Sequence, residues 1–147
     1  LPSELTLTAE AVRLGRTARD RADAIDQCGD LLVELGAVEP GYVTAMHERE
    51  ASVPTFVGEG VAIPHGTDAS RSLVRQTALA VVQFPDGVDW DGPTVHVAIG
   101  IAASGEEHLG VLSSLAAVLT DPDRAARLRS ARSPADVVDL LSPDSAG

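Results

Sequence analysis

The sequence predicts an α/β fold in which helices cover both faces of a central sheet. Three observations predict it. Several stretches carry apolar residues at helical spacing and begin or end at capping residues. Two runs, Gln76–Phe84 and Thr94–Ala103, are almost continuously apolar and rich in Val and Ala, as strands buried on both faces are. Helices flank these and other short apolar strands along the chain, the order expected of a layered α/β architecture. The 147 residues are enough for one domain with one buried core. A single domain over 1–147 is expected, with its folded core over about 10–141. Aromatic residues make up only 3% of the chain, so Ala, Val, Leu and Ile must fill the core.

Taken in order, Leu1–Glu10 is a polar leader and Val12-Arg-Leu-Gly15 reads as a short strand. Asp20 is placed to cap a helix, with Asp23 at its third position. Ala24, Ile25, Cys28, Leu31, Leu32 and Leu35 follow at helical spacing, and Gly36 closes the helix. Glu39-Pro40 starts a second helix with Pro at its first position. It turns Val43 and Met46 inward and ends near Arg49-Glu50. Two short apolar runs come next, Thr55–Val57 and Val61–Ile63, then a polar loop over Thr67–Arg75. After the Gln76–Phe84 strand, Pro85-Asp86-Gly87 reads as a turn and Val88–Gly92 as irregular chain. Past the Thr94–Ala103 strand, Ser104-Gly-Glu-Glu107 is a capping box opening a helix from Glu106 to about Leu119. Asp121-Pro122 caps a helix over Asp123–Ala131, and Ser133 caps another that ends near Leu141. A polar tail follows, without internal repeat or low-complexity block.

The formal net charge is −11, and every basic residue is Arg. Such a surface repels nucleic acid and anionic lipid and favours encounter with a basic protein. Solubility alone is an equally good reason for the charge. No apolar run reaches the roughly 18–20 residues that span a bilayer, so no membrane insertion is expected. The single cysteine, Cys28, reads as a small core residue, and a reducing cytoplasm fits this composition.

The most constrained stretch is Ser52-Val-Pro-Thr-Phe-Val-Gly-Glu-Gly-Val-Ala-Ile-Pro-His-Gly-Thr67. Gly58-Glu59-Gly60 splits its two apolar runs, and Pro64-His65-Gly66 ends the second. Pro64 restricts its own φ and drives Ile63 toward extended backbone. Gly66 permits a sharp bend or a close approach. His65 is thereby presented at a strand end and reads as a nucleophile, although a partly exposed or satisfied histidine would look the same. His108, in the first turn of its helix, lies near backbone N–H groups that suit an anion. The residues alone leave open whether His108 is simply exposed. Arg49, at a helix end just before the loop, is the best-placed cation, and that helix position favours a cation in any case. His96, inside an apolar strand, reads as a core or supporting residue, and His47 as a solvated one.

No two histidines have the i, i+4 spacing of a zinc helix and there is no cysteine pair, so no metal site is expected. A site from His65, His96 and His108 with a carboxylate is compatible with the spacing but not favoured by it. A G-x-S-x-G elbow is lacking. The chain contains no Lys, which removes P-loop nucleotide chemistry. A nucleophilic histidine with candidate anion partners remains. Neutral imidazole attacks phosphoryl groups well, and the adduct needs an Arg, a second His or backbone N–H groups to stabilise its charge. Local chemistry leaves the electrophile itself open.

Met46-His-Glu-Arg-Glu50 followed by Pro54-Thr-Phe-Val-Gly-Glu-Gly-Val-Ala-Ile-Pro-His-Gly66 resembles the active-site segment of the mannitol/fructose-type enzyme IIA domain of the bacterial phosphoenolpyruvate-dependent sugar phosphotransferase system. The resemblance continues through Gln83-Phe-Pro-Asp-Gly-Val88, Val97-Ala-Ile-Gly-Ile-Ala-Ala103 and Glu107-His-Leu109 and spans about Glu10 to Leu141. The Val-Glu-Pro-Gly-Tyr-Val entry to the second helix and the QFPDGV segment are similar to the mannitol branch. The resemblance implies a mixed, mostly parallel sheet with one antiparallel strand and helices packed on both faces. It implies that His65 accepts a phosphoryl group from the phosphocarrier HPr on the ring nitrogen far from the backbone. A IIB domain cysteine then takes that group on, and contact with the membrane permease is made through IIB. By the same resemblance Arg49 clamps the phosphate and His108 hydrogen-bonds it; Glu59 matches a family loop position and by default reads as a solvated loop acid. No cofactor, metal or nucleotide is implied. The short polar tail suggests a free-standing IIA. The alternative is a nitrogen-type regulatory IIA paralogue that acts through a binding partner.

Overall fold

The computed structural model describes residues 7–103 and 106–141, without the side chains of 106–109 and 114. The chain runs through β1 (Val12–Arg13), α1 (Arg21–Glu34), α2 (Gly41–Ser52), β2 (Phe56–Gly58) and β3 (Val61–Ala62). It continues through β4 (Ala78–Asp89), β5 (Thr94–Ala102), α3 (Glu106–Leu119), α4 (Pro122–Arg129) and α5 (Pro134–Leu141). Short 3-10 segments cover Ala9–Ala11 and Asp68–Leu73. The second of these occupies most of the stretch expected to be loop.

The two apolar runs form the middle of a five-stranded sheet of order β1-β4-β5-β3-β2. β1 with β4 and β3 with β5 pair in parallel; β4 with β5 and β2 with β3 pair antiparallel. The sheet is therefore mixed, with its pairings divided evenly and the long β4–β5 ladder antiparallel. Side-chain alternation sends successive strand residues to opposite faces. Leu79, Val81, Ile99 and Ile101 pack with Val111, Leu115, Leu128 and Val137 of α3, α4 and α5. Ala80, Val82, Phe84 and Ala98 pack with Ala24, Ile25, Cys28 and Met46 of α1 and α2. Burying each large aliphatic side chain contributes about 1.5–3 kcal/mol, which makes both layers necessary to the sheet.

The capping signals hold at three helices. Asp20 accepts from the Asp23 N–H at 2.9 Å, Asp121 from the Asp123 N–H at 3.0 Å, and Ser133 Oγ from the Asp136 N–H at 3.2 Å. Pro40 directly precedes α2 and already has helical dihedrals, φ −54° and ψ −32°. The Ser104-Gly-Glu-Glu107 box lies outside the described residues. One expectation is corrected. Pro85-Asp86-Gly87 is not a turn, because β4 runs on through it to Asp89. The register passes from Gln83↔Val97 to Val88↔Val95, so five steps along β4 face two along β5. The extra residues are accommodated as a bulge, with Gly87 at φ +82°. The chain reverses at Trp90–Pro93 instead, where Trp90 N–H donates to the Pro93 carbonyl at 2.8 Å.

Candidate active site

The His65 loop is shaped from three directions. Its strand, β3, lies parallel beside β5, and the pairing ends with a bridge between His65 and Ile101. Ile101 N–H donates to the Pro64 carbonyl at 2.9 Å. In a continuing parallel ladder the Gly66 N–H would bond the Ile101 carbonyl next. The Tyr42 hydroxyl of α2 stands between them: it accepts from Gly66 N–H at 2.9 Å and donates to the Ile101 carbonyl at 2.8 Å. The strand therefore stops at His65. Gly66 is required for close approach, since a Cβ there would lie 2.6 Å from the Tyr42 ring and 2.5 Å from Ser70 Oγ. Burial pushes the Tyr42 hydroxyl pKa upward, against a smaller opposite effect of the Gly66 bond, so the phenol keeps the proton it donates.

His65 is 7% exposed, and its Nδ1 lies 2.8 Å from the Ile63 carbonyl. A carbonyl can only accept, so Nδ1 carries hydrogen. In the neutral ring the lone pair is then on Nε2, the nitrogen far from the backbone. His65 lines a cleft of about 610 Å³ together with Arg49, Val57, Thr67, Asp68 and Leu112. Arg49 Nη1 donates to the Val53 carbonyl at 2.6 Å, which folds the guanidinium back over the end of α2. Among the described residues no carboxylate lies within ion-pairing distance of Arg49, whereas Asp68 pairs with Arg71 at 3.3 Å. The cleft thus combines an imidazole with a defined lone pair and a cation available to an anion, the two groups that transfer of an anionic electrophile needs.

Of the residues singled out from the sequence, the structure brings His65 and Arg49 to one cleft. His108 is in the first turn of α3, and its side chain lies outside the described residues; Leu112, one turn further along α3, lines the cleft. Glu59 is not merely solvated. It sits at φ +55° in the β2–β3 turn and pairs with Arg129 of α4 at 3.7 Å. His96 is half-buried with Nδ1 3.3 Å from the Phe84 carbonyl, and it does not line the cleft. His47 pairs with Asp26 across α1 and α2 at 2.7 Å. Among the described residues no group of three or more potential ligands could hold a metal ion.

Sequence reasoning missed Tyr42 and left Glu50 without a role. A signal was present: Tyr42, Ala45, Met46 and Glu50 share the buried stripe of α2. A carboxylate and a phenol on an apolar stripe call for buried partners.

Residues 5–143 match the family described as phosphoenolpyruvate-dependent sugar phosphotransferase system, EIIA 2. The chain belongs to that family. This IIA chain is 42% identical over 139 residues to the mannitol-specific phosphotransferase enzyme IIA component of Halalkalibacterium halodurans, covering 95% of this chain and 96% of that one. It is 47% identical over 139 residues to a multiphosphoryl transfer protein of Rhodobacter capsulatus, covering 94% of this chain but only 17% of that larger protein. Its fold superposes with a TM-score of 0.87, at 39% identity, on an Escherichia coli structure of enzyme IIA-mannitol in complex with phosphorylated enzyme IIB-mannitol. That match covers 94% of this chain and 98% of the other. Among the described residues of this IIA, no helix is long and apolar enough to cross a membrane.

Proposed function

We propose that His65 takes a phosphoryl group from phosphorylated HPr and passes it to a cysteine of a IIB domain during mannitol uptake. One observation carries the site assignment: the Ile63 carbonyl holds the Nδ1 hydrogen, which puts the lone pair on Nε2 in the cleft that also contains Arg49. Nε2 forms a bond to phosphorus as the donor's P–N bond breaks, and the hydrogen on Nδ1 stays with Ile63. In the second step the Nε2–P bond breaks as a thiolate sulfur forms S–P, and the neutral ring returns. Arg49 clamps the phosphoryl oxygens and offsets their charge, and His108 hydrogen-bonds the same group. Loose phosphoryl transfer needs this kind of positioning and charge stabilisation above all. Val53 and Val57, 55% and 44% exposed beside the cleft, supply apolar contact for a docking protein. The net charge of −11 favours a basic one. The mannitol-specific relatives supply the choice of sugar.

Incubation with phosphoenolpyruvate, enzyme I and HPr should add one acid-labile phosphate, read by intact mass. A His65→Ala variant that still acquires it would overturn the assignment. Arg49→Ala should slow transfer by more than it weakens HPr binding, because the clamp acts on transition-state charge. Equal losses in both would make Arg49 a docking residue. If no cognate IIB drains the phosphate onto mannitol, the regulatory alternative takes the place of transport.

A further inference from the structure

Arg49 and Glu50 are neighbours at the end of α2 and have opposite fates: Arg49 enters the cleft and Glu50 goes into the core. The Glu50 residue is only 3% exposed. Its carboxylate accepts from the Thr55 backbone N–H at 3.1 Å, from the Thr55 hydroxyl, and from Trp90 Nε1–H at 2.6 Å. Arg21 of α1 stands 4.0 Å away. A carboxylate this deep persists only where such partners compensate its lost hydration. It has acceptor sites and no donor, which is what several converging donors require.

Two of those donors belong to Thr55, and Thr55 leads to the site. The Thr55 carbonyl accepts the Ile63 N–H at 3.0 Å. The Ile63 carbonyl in turn accepts from His65 Nδ1 at 2.8 Å. A continuous path of hydrogen-bonded residues therefore runs from Glu50 through Thr55 and Ile63 to the imidazole, and Glu50 never touches the ring. Aliphatic contact would seal this part of the core but would not set the direction of the Ile63 carbonyl. Hydrogen bonds have that directionality.

We propose that Glu50 is a positioning residue for His65: by clamping Thr55 it holds the Ile63 carbonyl that keeps hydrogen on Nδ1 and the nucleophilic lone pair on Nε2. The effect on transfer rests on the phosphoryl-carrier reading above, whereas the effect on the tautomer does not. Glu59, in the turn of the β2–β3 hairpin, lies outside this path. Glu59 is anchored to Arg129 from outside the core, and its bonds bear on the turn rather than on Thr55 or Ile63.

The test uses the whole chain with its histidine rings labelled with nitrogen-15. The ring shifts of unphosphorylated His65 report which nitrogen carries hydrogen. Glu50→Gln puts an amide N–H₂ against converging donors, and Thr55→Val removes the hydroxyl while keeping the shape and the backbone N–H. The wild type should show a protonated Nδ1 and an Nε2 without hydrogen. Glu50→Gln should move His65 toward a mixture of tautomers and slow phosphorylation by roughly tenfold, a modest loss for a reacting group held slightly out of place. The KM for HPr should stay unchanged. Thr55→Val should shift both readouts in the same direction by less. Wild-type ring shifts in folded Glu50→Gln would overturn the proposal, even if the rate fell. If Glu50→Gln does not fold, Thr55→Val decides by the same criterion. If HPr phosphorylates neither the wild type nor the variants, the phosphoryl-carrier reading fails, and the ring shifts still judge Glu50.

Discussion

On the α3–α5 side of the sheet the buried contacts are mainly aliphatic, with Leu79, Ile99, Leu115 and Leu128 at their centre. On the α1–α2 side Tyr42, Glu50, Thr55 and Trp90 are buried as well: Glu50 accepts from Thr55 and Trp90, and the Tyr42 hydroxyl donates to the Ile101 carbonyl. Gln83 is the polar exception tied to the first side, where it donates to the Arg129 and Ala131 carbonyls at 3.0 and 2.9 Å. The difference bears on the site. Aliphatic packing decides how closely a layer sits, but it tolerates small rotations of backbone groups. Hydrogen bonds select a direction. His65 follows β3, and the polar side holds that segment at two points: Tyr42 bonds Gly66 directly, and Glu50 bonds Thr55, whose carbonyl accepts the Ile63 N–H. On the proposed reading, one layer holds the sheet in place and the other aims the imidazole.

The largest test of this contrast pairs Glu50→Ala with Leu115→Ala. Glu50→Ala leaves the Trp90 and Thr55 donors buried and unpaired and should cost about 3–5 kcal/mol. Leu115→Ala opens a cavity on the other face and should cost about 2–5 kcal/mol. Urea unfolding measures both. Only the first should also slow phosphorylation; an equal slowing by Leu115→Ala would erase the distinction between the two faces.

Tyr42→Phe is the intermediate case. It keeps the ring and removes the hydroxyl that Gly66 N–H and the Ile101 carbonyl share. The expected loss is about 1–3 kcal/mol, with slower transfer at His65, checked by urea unfolding and by the phosphorylation rate. Loss of stability with unchanged transfer would confine Tyr42 to the core.

The smallest expected effect concerns pH. Burial pushes the Cys28 thiol from 9.0 up to about 12, and Tyr42 is raised as well. Both groups hold their protons in the folded protein at pH values where the unfolded chain has released them. Stability from this source is complete below about pH 9 and falls as pH rises toward 12, because the unfolded state then binds fewer protons. Urea midpoints between pH 7 and 10.5 should decline. Folded Cys28 should resist alkylation at pH 8 until the α1–α2 layer opens. Rapid labelling of folded protein would show that layer to be looser than its hydrogen bonds imply.

Much of this was legible from residues close together in the chain. The Asp20, Asp121 and Ser133 caps bond within three residues, so helix starts followed from local spelling. The buried Val- and Ala-rich strands were equally clear. Pro85-Asp86-Gly87 misled because a Pro-Asp-Gly sequence suits a turn and a bulge alike. Pairing with β5 decides between them.

The sequence by itself determined that Pro64 and Gly66 would hold a histidine at a strand end, and that Arg49 would fall near the end of the helix before it, which runs on to Ser52. Both depend on dihedral limits within a few residues. Only the tertiary structure decided which ring nitrogen of His65 meets a carbonyl and how the segment around it is held. Tyr42 meets Gly66 across 24 residues and Ile101 across 59, and Trp90 meets Glu50 across 40. No local pattern specifies those pairs, because each bond forms only after separate elements have packed against the same sheet.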